Sequence, residues 1–334
     1  MPLRARAAGF EAWLGQFRGR ARAAGISART LDAALAGVRQ LPKVIANDRR
    51  QAEVARPLQD YIGTAASSAR IGGGQRALQR FRTVLGRIER QYRVPKEVIV
   101  AIWGMESSFG GFRGSSPVIS TLATLAHEGR RRDLFEAELI AALRILQAGD
   151  ITPARMQGSF AGAMGHTQFI PTSYLAYAQD FDGDGRRDIW SDDPTDALAS
   201  TAAYLKRSGW TKGQPWGVEV VLPRGFDYRQ TGERIKKSPS EWAALGVRDM
   251  RGGRVADHGR ASILLPAGAQ GAAFMIFDNF HVIERYNPAD AYVIAVGHLS
   301  DRIAGGPDFR GSWPRGDRAL MEKMTAEILA WIVD

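Results

Sequence analysis

Residues 96–111 read KEVIVAIWGMESSFGG. Val98, Ile102 and Met105 recur at helical spacing, which predicts a helix from Lys96 to Ser107 with these side chains buried. Pro95 suits the first turn, where the amide that proline lacks would have no partner. The Gly110-Gly111 pair is read as the end of the helix. Glu106, four residues after Ile102, then falls at the edge of the buried side. A carboxyl half-buried among Trp103, Met105 and Phe109 would ionise at a cost, its pKa would rise, and it could keep a proton near neutral pH. Such a group can act as an acid. On these residues alone the plainer reading, an acid turned to water or paired with an arginine, is the better one, so other segments must decide.

Outward from this helix the pattern stays helical on both sides. Phe10, Trp13, Leu14 and Phe17 share one face, Gly25 ends that helix, and Ser27 caps a second one through Leu31, Ala34, Leu35 and Val38. Gly72-Gly73-Gly74 reads as a break before an amphipathic helix carrying Leu78, Phe81, Leu85 and Ile88. Helical periodicity resumes from about 133 to 210, interrupted by loops at 158–165 and 180–193. Beyond Gly213 the runs VEVVLP, ASILLPAG and AAFMIF are short and β-rich, set off by Pro and Gly, with a short helix expected at Ser240–Leu245. Asn287-Pro-Ala-Asp290 has the form of a cap, a first-turn proline and an acidic third position, opening a helix through Tyr292, Ile294, Val296 and Leu299. The expected fold is α+β, mainly α: an N-terminal helical region (1–94), a helical core (95–212), a small inserted antiparallel β subdomain (213–284) and C-terminal helices (285–334). The last of these includes the stretch ALMEKMTAEILAWIV at 319–333.

At 334 residues and 45% hydrophobic, the chain can bury one large core or two. A formal charge of +10 suits polyanions such as nucleic acid, anionic lipid or an acidic cell-wall polymer, but the arginines are dispersed and choose none of them. The chain has no cysteine, which removes disulfides, thiolate metal sites and cysteine nucleophiles. No apolar run reaches the ~18 residues of a membrane helix, and the opening MPLRARAAGFEAW lacks the apolar centre of a secretory leader. The five histidines show no HExxH spacing, Ser107 and Ser108 lack a nucleophile-elbow frame, and there is no phosphate-binding GxxxxGK[ST] loop. No aromatic-interleaved basic module of the usual nucleic-acid-binding types is present.

Two further segments carry chemistry. Residues 158–181, GSFAGAMGHTQFIPTSYLAYAQDF, join a small-residue loop to Gln168, Pro171, Tyr174 and Tyr177. Such a loop lets a polymer approach the backbone while Gln, Ser and Tyr supply hydrogen bonds and stacking faces suited to sugars. A loop wedged between packed helices would look similar. Asp180-Phe-Asp-Gly-Asp-Gly-Arg-Arg-Asp188 places carboxylates at positions 1, 3, 5 and 9 and Gly at 6, as in the front of a calcium-binding EF-hand loop, with the Arg186 carbonyl at position 7. Position 12 is Ser191 rather than the usual bidentate Glu.

Together these segments resemble the B-type membrane-bound lytic transglycosylases of bacteria, which cut the glycan strands of peptidoglycan. The likeness runs from about Leu31 to Gly305 through GMESSFG, GSFAGAMGHTQFIPTSY, DFDGDGRRDIW, DALASTAAYLKRSGW and RYNPADAYVIAV. It implies a lysozyme-like helical core and a single catalytic acid and base, Glu106, that releases a 1,6-anhydro sugar. It also implies sugar contacts at Ser159, Gln168, Tyr61, Tyr204 and Tyr286, and a paired-arginine site at Arg131 and Arg132 for the acidic part of muramic acid. Asp196 would complete a calcium set of Asp180, Asp182, Asp184, Arg186 and Asp188. No cofactor is expected for catalysis, and one structural calcium ion is. The expected partner is peptidoglycan and not nucleic acid, the expected state a periplasmic, wall-facing monomer, with membrane association through a segment outside this sequence. His166 and His281 depart from the family pattern, standing where Gly and Tyr are expected. The rivals are a muramidase on the same scaffold, with Asp133 or Glu128 as a second acid, and a non-catalytic wall-binding or nucleic-acid-binding protein.

Overall fold

A computed structural model describes residues 3–51, 57–128 and 131–313. In chain order, the N-terminal helices are α1 (Leu3–Ala23), α2 (Ala28–Leu35), α3 (Pro42–Gln51), α4 (Leu58–Ala65), α5 (Ser68–Arg80), α6 (Arg82–Tyr92) and α7 (Lys96–Ser107). Then come β1 (Ser116–Pro117), α8 (Val118–Glu128), α9 (Arg132–Ala148), β2 (Gln157–Gly158), α10 (Pro171–Tyr177) and α11 (Thr195–Arg207). The remainder is β3 (Gly217–Val221), α12 (Pro239–Ala244), β4 (Arg248–Asp249), β5 (Ser262–Leu264), β6 (Ala273–Ile276), α13 (Asp278–Glu284) and α14 (Asp290–Ile303). The mainly helical α+β fold is as expected. The stretch 319–333 lies outside the described residues. Two compact units share the chain, one drawn from Met1–Glu53 and Glu106–Ala203, the other from Val54–Met105 and Tyr204–Asp334.

In the first unit, Phe10, Trp13 and Phe17 of α1 stack in a row, centroids 5.9 and 5.4 Å apart. His127 of α8 meets Phe10 edge-on at 5.4 Å. Ser27 caps α2 as expected, its side chain accepting from the Thr30 amide. Helix α8 lies ahead of the point, about residue 133, where helical periodicity was expected to resume. All its residues from Val118 to Ala126 are buried, so it has no polar face and no stripe to read. One of its hydroxyls turns back on the helix, Thr124 donating to the Ser120 carbonyl at 2.7 Å. Glu138 of α9 is buried, and its two oxygens accept from the Thr172 amide (2.9 Å) and hydroxyl (2.6 Å) at the start of α10. Burial holds its pKa above the usual carboxylate range.

In the second unit, two local expectations are corrected. The Gly72-Gly73-Gly74 triplet is no break: it lies inside α5, and the chain is interrupted instead at Phe81. The reason is a close approach, since a Cβ on Gly74 would come within 2.3 Å of Cδ1 of Ile303 on α14. Helix α14 begins at Asp290, with Ala289 as its cap residue, rather than at Asn287. The Asn287 side chain instead accepts from the Ala289 amide at 3.2 Å, before the helix starts. The three β-rich runs supply β3, β5 and β6 of one antiparallel four-stranded sheet in the order β4-β3-β6-β5; the two-residue β4 lies in none of them. Its core is Val220, Phe226, Trp242, Val247, Ile263, Met275 and Phe277 with their neighbours. The Trp242 indole donates to the Ala261 carbonyl at 2.8 Å, so the large ring is buried without an orphaned N–H. Helix α12 starts with a complete capping box between Ser238 and Glu241.

Candidate active site

Glu106 is the penultimate residue of α7 and is half-buried. The chain leaves the helix sooner than the glycine pair suggests. Ser108 (φ 50°) and Phe109 (φ 59°) already take the left-handed conformation, followed by Gly110 (φ 86°). Two consecutive non-glycine residues there are costly, and the cost is met by specific bonds. The Ser107 hydroxyl accepts from the Gly110 amide at 2.9 Å and donates to the His166 carbonyl at 2.5 Å. That second bond ties the residue beside Glu106 to the loop that carries Gln168.

Gln168 also has a positive φ, 53°. Its amide nitrogen donates to the carbonyls of Gly165 (2.8 Å) and Arg113 (3.3 Å), which turns the amide oxygen the other way as an acceptor. Ser159 complements it. Its hydroxyl oxygen accepts from the amides of Ala161 (3.2 Å) and Ala163 (3.1 Å), leaving its proton to donate. Two glycines of this loop are needed for packing. A Cβ on Gly158 would lie 2.2 Å from the Ala163 carbonyl oxygen, and one on Gly165 2.3 Å from that of Ile189. Tyr174, read from sequence as a sugar-stacking face, is fully buried and donates to the Arg187 carbonyl at 2.6 Å.

His166 and Arg113 join this loop to the segment after the acidic loop. Burial holds the pKa of His166 below the usual histidine range, and the neutral ring donates from Nε2 to the Ser191 carbonyl at 2.7 Å. Arg113 donates to the carbonyls of Trp190 (2.9 Å) and Ser191 (2.6 Å) and pairs with Asp192 at 2.7 Å. Sequence reading passed over Arg113, which belongs to no motif and whose partners lie some eighty positions away. It also passed over Phe112, 78% exposed in the loop after Glu106.

Arg131 pairs with Asp48 at 3.0 Å and lies over the Phe135 ring, 4.8 Å from its centroid, while Arg132 is exposed. Glu128 accepts from the Gln40 side chain at 2.9 Å, and Asp133 is exposed. In the second unit, Tyr204 and Tyr286 meet edge to face with centroids 4.9 Å apart, and the Tyr204 hydroxyl bonds the Arg285 carbonyl. Tyr61 is half-buried on α4.

In the acidic loop, Asp180, Asp182 and Asp184 are exposed and bring carboxylate oxygens within 4.8 Å of one another. Each also closes the turn: Asp180 accepts from the amides of Gly183 (2.8 Å) and Gly185 (3.0 Å), and Asp184 from that of Arg186 (2.8 Å). Hard oxygens at alternate residues fit a calcium ion. The carboxylates of Asp188 and Asp196 also accept backbone amides. Asp188 accepts from the amides of Trp190 (2.9 Å) and Ser191 (3.0 Å). Asp196, 3% exposed, accepts from Phe181 (2.8 Å) and Asp188 (2.9 Å), staple-like across the loop. Burial pushes its pKa up to about 6 against those bonds. Arg187 pairs with Asp150 at 2.6 Å and anchors the loop from the other side.

A lysozyme-like, mainly helical domain with a half-buried glutamate at a helix end and a small antiparallel sheet is the class of protein that these features define. A family model described as "Transglycosylase SLT domain" matches residues 9–301, and the chain belongs to that family. It is 37% identical over 231 residues to membrane-bound lytic murein transglycosylase B of Escherichia coli (strain K12), covering 67% of this chain. The matched part spans 61% of that relative's length. Among solved structures it is similar to SltB3 from Pseudomonas aeruginosa in complex with NAG-NAM-pentapeptide and with NAG-anhNAM-pentapeptide. Each shows 50% identity and a TM-score of 0.89 over 92% of this chain and 83% of the other. It is also similar to the Escherichia coli lytic transglycosylase Slt35 in complex with calcium, at 30% identity and a TM-score of 0.74 over 89% and 93% of the two chains.

Proposed function

We propose that this chain is a peptidoglycan lytic transglycosylase that cleaves the β-1,4 bond between N-acetylmuramic acid and N-acetylglucosamine. The observation that carries the reading is the placement of Glu106, half-buried at the end of α7 beside a hydrogen-bonded reversal of the chain. Helix C-termini repel negative charge, a suitable place for a carboxyl that must hold a proton. Glu106 gives that proton to the bridging oxygen as the bond to C1 breaks. The carboxylate so formed then takes the proton of the muramoyl C6 hydroxyl while O6 closes on C1. A 1,6-anhydro end results and no water is consumed. Glycosidases that admit water to the anomeric carbon need a second carboxyl; an attacking group within the substrate makes one sufficient. The anhydro sugar bound by the similar SltB3 supports this outcome.

Gln168, as acceptor, and Ser159, as donor, are the polar contacts proposed beside the acid, with Tyr61, Tyr204 and Tyr286 as aromatic contacts to the glycan. Of the two arginines, Arg131 is already occupied by Asp48, so Arg132 is the cation first offered to the carboxylates of muramic acid and stem peptides. Asp180, Asp182, Asp184 and the Arg186 carbonyl are proposed to hold a structural calcium ion, with Asp188 and Asp196 at the ends of its loop. A wall-facing, periplasmic location follows from the substrate. Among the described residues no helix is long and apolar enough to cross a membrane.

The test is Glu106→Gln, which keeps size and hydrogen bonding but removes the acid. It is expected to abolish clearing of purified cell walls, a loss of at least about a hundredfold, while still sedimenting with them. Clearing at the parent rate would refute the assignment.

A further inference from the structure

Glu233, His281 and Glu284 meet in the second unit from segments far apart in sequence. His281 and Glu284 sit three residues apart on α13, with Nδ1 of His281 2.9 Å from Oε2 of Glu284. Glu233, from the loop before α12, brings its Oε2 to 3.9 Å from the same nitrogen. Its backbone is pinned, the carbonyl accepting from the Ser262 hydroxyl at 2.8 Å. One donor atom from each residue lies within 4.8 Å of the other two, and all three residues are half-buried.

We propose that these three side chains form a binding site for a divalent transition-metal ion of the zinc type. One imidazole nitrogen and two carboxylate oxygens make a donor set that zinc accepts, with a fourth position left for water. Around a tetrahedral zinc ion, adjacent donors stand about 3.3 Å apart. The observed 2.9 and 3.9 Å straddle that value, so small side-chain adjustments suffice. Two carboxylates and a neutral imidazole sum to two negative charges, which a divalent ion balances. The nearby Lys236 would oppose a cation, but its ammonium is engaged by Asp278 at 2.6 Å. This set contains nitrogen, whereas the Asp180–Asp184 carboxylates offer only oxygen, so the two sites select different ions.

A zinc-bound imidazole nitrogen carries no proton, so metal uptake at His281 competes with protons for the same nitrogen. The inference does not depend on the assignment of Glu106.

The experiment strips the full chain with chelator and titrates it with zinc chloride, with calcium in excess throughout so that the acidic loop does not compete. Calorimetry and melting curves read the result. One equivalent of zinc is expected to bind and to raise the melting midpoint. His281→Gln, whose amide can still donate to Glu284, is expected to remove the zinc-dependent shift while leaving the zinc-free midpoint near the parent's. Glu233→Gln and Glu284→Gln should each weaken binding by about tenfold or more. Equal zinc affinity in the parent and His281→Gln, including no uptake by either, overturns the proposal.

Discussion

Asp301 shows what a recess does to one carboxyl. It lies in a cavity of about 780 Å³ whose lining includes Trp216, Glu219, Asp249, His298 and Phe309. Its Oδ2 accepts from the Trp216 indole at 2.9 Å. Desolvation pushes its pKa up to about 6, against that bond. Unfolded, the same group titrates near about 3.9. Between these values the folded chain keeps a proton that the unfolded chain has lost. This contribution to stability is therefore complete below about pH 4 and lost as pH rises through about 6. Carboxylates such as Asp192 and Asp249, held below their usual range by hydrogen bonds, act in the opposite sense, so the comparison must be differential. Asp301→Asn, which can still accept from Trp216, is expected to gain melting temperature relative to the parent from pH 4 to 6; a constant difference across that range would contradict the account. At this scale the legible residues were those with a local cause. Glu106 was noticed because apolar neighbours flank it in sequence, although its role needed the other motifs to decide it. Arg113 was passed over because its role comes from carbonyls brought near by the fold, and Tyr174 was misread because an amphipathic side chain looks alike whether it faces a ligand or a core.

Helix α7 was legible in its extent, since apolar spacing and Pro95 agree on it, but not in the way it ends, which uses Ser108 and Phe109 ahead of the glycine pair. Helix α8 was not legible, because total burial removes the polar face that periodicity needs. The glycine triplet in α5 divides along the same line. Gly72→Ala would place its Cβ near only the flexible end of Arg76, at 3.3 Å, whereas Gly74→Ala would drive into Ile303 at 2.3 Å. Replacing a helical Gly by Ala stabilises by up to about 1 kcal/mol, and overpacking costs about 1–3 kcal/mol. Gly72→Ala should thus raise the denaturation midpoint and Gly74→Ala lower it. Equal shifts would show that contact with α14 is not what keeps Gly74 small. For the acidic loop, calcium should raise the melting temperature of the parent and chelator should reverse it. Asp182→Asn should blunt the response, and no response at millimolar calcium would remove the ion from the account.

At the scale of the whole molecule, the class of fold was legible because a change of periodicity, from helical before Gly213 to β-rich after it, survives errors at single boundaries. The way two stretches, 1–53 and 106–203, combine in one compact unit was not, since periodicity within a segment says nothing of which distant segment it packs on. A net charge of +10 suits an acidic wall polymer but specifies none. The reaction rests on the motifs around Glu106 and on the family to which the chain belongs. Its central claim is that the oxygen attacking C1 comes from the sugar itself. Digestion of purified peptidoglycan in water enriched in heavy oxygen, followed by mass spectrometry of the muropeptides, tests this directly. The account predicts anhydro-muramoyl products, each lighter by one water than the hydrolytic product and free of label. Labelled reducing ends would contradict it.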